Sequence, residues 1–288
     1  MATSTAGRGD VWDRLAYLLV LSRPRFWLYL AGPVLVGAAA AATTLSDLYD
    51  PAVVVLFAYF LVPANVFLYG VNDIFDADID EANPKKDDRE ARWHDDPVNT
   101  AVVVGSGVLG AVVITLVPAL AWPWIAAHFF LAVEYSAPPF RFKTTPFLDS
   151  VSNGLYILPG VAAYAAVAGV NPPALAVAGA WLWTMAMHTF SAIPDIAPDR
   201  EAGIRTTATV LGEGRTYAYC AVVWTLAAVS FATVDVRLGG LLAIYPVFVL
   251  GVAASNVDVA RAYWWFPILN TVVGMLITVG ALWSTIYG

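Results

Sequence analysis

Residues 51–80 read PAVVVLFAYFLVPANVFLYGVNDIFDADID. The run 51–71 is apolar and long enough to cross a hydrocarbon core of about 30 Å as a helix. It leads straight into Asn72, Asp73, Asp76, Asp78 and Asp80. At about 100° per residue, Asn72, Asp73, Asp76 and Asp80 share one face of that helix and Asp78 points away. Four oxygen-bearing side chains are therefore expected on one face where the chain leaves lipid. Carboxylates at this density repel one another unless a cation of high charge sits between them. The plainer alternative is a solvated acidic loop.

The rest of the chain is built in the same way. Of 288 residues 59% are hydrophobic and 13% charged, against about 25% charged in ordinary soluble domains. This excludes a soluble enzyme, a disordered chain and a nucleic-acid partner, and it makes membrane lipid the solvent. Apolar stretches at 26–43, 51–71, 99–120, 122–136, 151–169, 174–193, 217–234, 239–254 and 263–286 predict an all-α bundle of nine transmembrane helices. With the N-terminus cytoplasmic, the basic residues at 8–25, 85–92, 141–143, 200–215 and 261 fall on the inner side and only Arg237 falls outside. Such segregation would be scrambled by a miscounted span. The acids follow it too, with only Asp47, Asp50 and Asp235 outside. Ala38 to Ala42 resembles a signal-peptidase site, but the long charged lead-in from Arg8 to Arg25 argues against a cleaved signal. The expectation is a single transmembrane domain over 1–288, multi-pass in the cell membrane, with its chemistry on the cytoplasmic face. The net charge of −7 is acidic for such a protein and fits a high-salt cytoplasm.

A second acidic pair, Asp195 and Asp199, ends the sixth span and repeats the i, i+4 spacing of Asp76 and Asp80. Four helices separate the two clusters, as two parallel repeats would place them. An oxygen-only donor set suits Mg²⁺, which binds through a few carboxylates plus the phosphates of a substrate. His94, His128 and His188 show no ligand spacing, and the single Cys220 excludes a cysteine-rich site. Between the clusters lies Tyr135-Ser-Ala-Pro-Pro-Phe-Arg-Phe-Lys143. Arg141 and Lys143 stand at the membrane rim, where they either anchor the topology or hold a pyrophosphate, with Arg200 and Arg205 as further candidates.

These residues resemble the UbiA superfamily of intramembrane prenyltransferases. Its first motif, NDxxDxxxD, is matched by Asn72, Asp73, Asp76 and Asp80, and its second, DxxxD, by Asp195 and Asp199. The Tyr135-Ser136 element and the start at Arg23-Pro24 extend the likeness over nearly the whole chain. The resemblance implies a nine-helix bundle in which both motifs bind Mg²⁺ and a prenyl diphosphate above a lipid-open cavity for a hydrophobic acceptor. It makes Asp76, Asp80, Asp195, Asp199 and Tyr135 catalytic candidates. Arg23, Arg141, Lys143, Arg200 and Arg205 become diphosphate ligands, and Asn153, Tyr156 and Trp183 belong to the acceptor cavity. Aromatic rings such as Tyr135, Tyr156, Trp181 and Trp183 either face a carbocation or pack in the core.

Two stretches, 135–154 and Ile193-Pro-Asp-Ile-Ala-Pro-Asp-Arg-Glu-Ala-Gly-Ile-Arg-Thr-Thr-Ala-Thr-Val-Leu-Gly212, look like the haloarchaeal lycopene elongase/hydratase branch. That likeness implies dimethylallyl diphosphate as donor and lycopene as acceptor, toward C50 bacterioruberin-type carotenoids. The rivals are a geranylgeranylglyceryl phosphate or quinone-ring acceptor, the first of which would use the rim cations Lys85, Lys86, Arg89 and Arg92. A cation transporter is the alternative of another class, although its site is expected near the midplane.

Overall fold

The computed structural model describes residues 6–80, 92–255 and 257–287, with the side chains of 6–10, 78–80 and 284 left aside. Lys85, Lys86 and Arg89, and the side chain of Asp80, lie outside the described residues. Within them the chain is helical, without a strand. In chain order the helices that matter are α1 (Ala6–Leu21), α2 (Trp27–Ala41), α3 (Pro51–Leu61), α4 (Pro63–Asp80), α5 (Pro97–Thr115) and α6 (Trp122–Glu134). A short α7 (Leu148–Val151) leads to α8 (Leu158–Ala168) and α9 (Ala174–Ser191), followed by the small α10 (Ile196–Glu201) and α11 (Thr207–Leu211). The chain closes with α12 (Glu213–Ala232), α13 (Val236–Leu242), α14 (Ile244–Ala254) and α15 (Val259–Tyr287).

Five segments are long and apolar enough to cross a membrane: 51–77, 97–115, 148–168, 236–254 and 259–283. The other stretches of the nine-span reading are helical as well, but α2 and α6 have only 15 and 13 residues. Helix starts are set by local chemistry. Asp50 and Asp96 each cap a following helix by accepting from the backbone N–H two residues on, at 2.8 and 2.7 Å, with proline at the first helical position. Pro63 divides the rod 51–80 because it has no N–H to donate. Asn65 repairs the break, its amide donating to the carbonyls of Phe60 and Leu61 at 3.0 Å each. In lipid no water would do this.

Two apolar cores carry the bundle. One gathers Leu30, Val34, Leu56, Phe60, Leu68 and Ile125 from the first half; the other gathers Phe190, Trp224, Tyr245, Val249 and Phe266 from the second. Tyr156 packs against both, so the space beside it lies between the two halves. Helices α2 and α8 meet backbone to backbone. A Cβ on Gly160 would sit 2.5 Å from the carbonyl oxygen of Pro33, and one on Gly37 would sit 2.0 Å from that of Gly160. Small residues allow this approach where no hydrophobic effect drives helices together.

A buried polar clip joins the halves on the motif side. Asp149, 1% exposed, accepts from the backbone N–H of Thr207 at 2.9 Å and from its hydroxyl at 2.5 Å. The Thr207 hydroxyl in turn accepts from the Phe147 N–H at 2.7 Å. This fastens the start of α11, just past the second acidic pair, to the short helix α7.

Replacing Gly160 with Val is expected to cost about 2 kcal/mol or more, because backbone rather than a movable side chain occupies the space. A drop in the thermal unfolding midpoint in detergent checks this. Thr207→Val, which keeps shape and removes one partner of a buried carboxylate, is expected to cost about 1–3 kcal/mol in the same assay.

Candidate active site

α4 runs unbroken to Asp80, so the helical face predicted for the first motif is present. Asp73 is 1% and Asp76 7% exposed, which rules out a solvated loop for these two. A buried carboxylate must be paired, and both are. Arg23 donates to Asp73 at 3.1 Å, Arg141 reaches Asp76 at 3.4 Å, and Lys143 forms an ion pair with Asp76. Asn72 is oriented by donating to the Ser136 hydroxyl at 2.8 Å, which leaves its carbonyl oxygen as the group free to accept.

The cations arrive from two tight turns. Arg23, between α1 and α2, and Arg141, after α6, both hold left-handed backbone, with φ of 49° and 43°. Non-glycine residues rarely adopt this conformation, and it is held where surrounding structure over-determines it. The turn at Arg23 sets its guanidinium 4.4 Å over the Tyr69 ring as well as on Asp73. The loop after α6 folds back so that the Lys143 N–H donates to the Tyr135 carbonyl at 3.0 Å. Burial pushes the Lys143 ammonium down to about 8 against the pull of Asp73.

Beneath these charges lies a cavity of about 210 Å³ between the two cores. Arg23, Asn72, Tyr135, Asn153, His188 and Ser191 supply its polar lining; Phe26, Tyr29, Leu68, Tyr69, Leu155, Tyr156, Met187 and Tyr263 supply the rest. The Tyr135 hydroxyl stands 3.3 Å from His188 Nε2. Asn153, tied to the Asp149 carbonyl at 2.6 Å, also meets Tyr135. Of the second acidic pair, Asp199 acts electrostatically on Tyr135 and Asp195 on His188. Its spacing is not carried by one continuous helix. α9 stops at Ser191, a single turn of 3-10 helix spans Ile193–Asp195 around Pro194, and Asp199 sits on α10.

Three of the candidate residues stand away from the cavity. Arg200 does not line the cavity: its Nε and Nη2 both donate to the Thr209 carbonyl, at 3.1 and 2.6 Å, so it braces α10 on α11. Arg205 is exposed in the loop between those helices and is likewise absent from the lining. Trp183 turns into the second core, edge-on to Tyr245 at 5.5 Å. Conversely, Tyr29, Tyr69, Tyr263 and His188 were not singled out for the site from sequence. His188 gives no ligand spacing, and its partner Tyr135 is 53 residues away.

Among the described residues no three of His, Cys, Asp and Glu converge closely enough to hold a metal by themselves. Asn72, Asp73, Asp76, Asp195 and Asp199 offer hard oxygen donors, the kind that suits Mg²⁺.

Residues 30–271 match the model of the UbiA prenyltransferase family. A lycopene elongase/hydratase of Haloferax volcanii is 76% identical over 97% of this chain and 93% of its own length. Another, from Halobacterium salinarum, is 61% identical over 94% and 99%. In fold, the chain is similar to a UbiA homolog from Archaeoglobus fulgidus bound to DMAPP and Mg²⁺, with a TM-score of 0.73 at 18% identity over 94% of this chain and 100% of that one. The ion-transport reading gives way to a transferase: this multi-pass membrane protein belongs to the UbiA prenyltransferase family.

Proposed function

We propose that the chain transfers a dimethylallyl group from its diphosphate to the terminal double bond of lycopene, with water capturing the resulting tertiary cation, toward C50 bacterioruberin-type carotenoids. The observation that carries this reading is the near full-length identity to the Haloferax volcanii elongase/hydratase. Fold alone would not choose the acceptor, since a digeranylgeranylglyceryl phosphate synthase is also similar, with a TM-score of 0.65.

The charged rim and the cavity divide the work. Arg23, Arg141 and Lys143, now held by Asp73 and Asp76, are the side chains that would grip a diphosphate and offset the charge that develops as it leaves. Asn72, Asp73, Asp76, Asp80, Asp195 and Asp199 are the residues that would hold Mg²⁺. Bound there, the ion supplies the positive charge that lets a diphosphate sit among carboxylates. The aromatic walls from Phe26, Tyr29, Tyr69 and Tyr156 exclude water from an allylic cation and present π faces to it. Asn153 and Tyr156, which line the cavity, are assigned to the reacting end of the polyene.

In this reading nine helices of one domain over 1–288 cross the cell membrane with the N-terminus in the cytoplasm, and the acidic rim faces the cytoplasm, where soluble diphosphates are supplied.

Asp76→Asn and Asp199→Asn are each expected to lower turnover by about 10²–10³-fold, measured as pyrophosphate release with the variants matched for folding by thermal midpoint. Membranes stripped with chelator and given Mg²⁺, dimethylallyl diphosphate and lycopene are expected to yield C45 and C50 products. They are expected to yield none from geranylgeranyl diphosphate with geranylgeranylglyceryl phosphate. The reverse pattern would overturn the proposed acceptor.

A further inference from the structure

The reaction proposed above ends with a cation that has two fates. Loss of a proton from a neighbouring carbon gives a further double bond, whereas attack by water gives a tertiary alcohol. Which one follows depends on whether water is held beside the cation with a group ready to take its proton.

The position of that group is constrained by the chemistry. When the π pair of the acceptor's terminal double bond forms the new C–C bond, the positive charge moves to the next carbon, two bonds from the transferred carbon. The transferred carbon lies beside the departing diphosphate. A group that serves the alcohol must therefore stand on the diphosphate side of the cavity.

Tyr135 and His188 are there. Tyr135 begins the loop that returns Lys143 to Asp76, and its hydroxyl is 3.3 Å from His188 Nε2. The two rings meet edge to face, with centroids 5.8 Å apart at 88°, and both line the cavity. Elsewhere, His128 is fully buried with Nδ1 on the Leu155 carbonyl, and His94 stacks on Tyr17 at 4.8 Å. Among the described residues His188 is thus the one imidazole lining the cavity.

We propose that the Tyr135–His188 pair holds the capturing water and accepts its proton, making these residues the determinants of alcohol over alkene. This inference rests on the lycopene reading. A water lone pair forms the C–O bond to the tertiary cation. The excess proton of the oxonium passes to the Tyr135 oxygen while the phenolic proton passes to His188 Nε2. The imidazolium then releases its proton to the departed diphosphate or to solvent, so no oxidant or further reactant is consumed.

The test is the ratio of hydroxylated to non-hydroxylated elongated carotenoid, read by mass spectrometry from full-length protein in membranes given Mg²⁺, dimethylallyl diphosphate and lycopene in ¹⁸O-labelled water. The ratio is internal to each sample, so changes in total turnover or protein amount do not enter it. Wild-type protein is expected to give the ¹⁸O alcohol. His188→Gln and Tyr135→Phe are each expected to lower the ratio by about tenfold or more, the lost alcohol reappearing as the alkene. An unchanged ratio in both variants would overturn the assignment while leaving the acceptor reading intact. So would parallel loss of all elongated product in both, because the pair would then serve ionisation or folding. Absence of any elongated product from wild-type protein would instead strike the acceptor reading itself.

Discussion

Two carboxylates buried at the end of one helix organise this molecule. Asp73 and Asp76 are removed from water, and an ionised carboxylate in such a place is tolerable only with a paired charge close by. The partners come from distant parts of the chain, Arg23 from before α2 and Arg141 and Lys143 from the loop after α6. Their convergence draws three segments onto the exit of α4. It also holds two residues in left-handed backbone that neither would adopt alone.

The cavity follows from how the two cores meet. Each half buries its own aromatic and aliphatic side chains, and Tyr156 belongs to both. The gap between them is lined by Phe26, Leu68 and Tyr69 on one side and Met187 and His188 on the other. The first acidic motif stands on the first half and the second on the second, with the Asp149–Thr207 clip fixing their relation. Charged rim and apolar chamber are therefore consequences of one interface. Motion at that interface would alter both together.

Much of the site was legible in the sequence because its signals are local. The face shared by Asn72, Asp73 and Asp76 depends only on helical periodicity, and α4 keeps it. Arg141 and Lys143 could be read from their place beside a span. The contact made by Arg200 could not, because nearness in sequence to Asp199 does not tell that Thr209 offers it a carbonyl nine residues away. The packing of Trp183 was hidden for a related reason. Periodicity places it on a face of α9, but only the packing of α14 decides that this face meets Tyr245.

The residues alone determined that the chain lives in lipid, that it is helical, and that oxygen donors gather at two helix exits, since hydropathy, helical period and charge are properties of short segments. Tertiary structure decided which cations neutralise which acids and that His188 meets Tyr135. Those choices join positions tens of residues apart. They are settled by the cost of leaving a buried charge or a polar hydrogen without a partner, which no local pattern records.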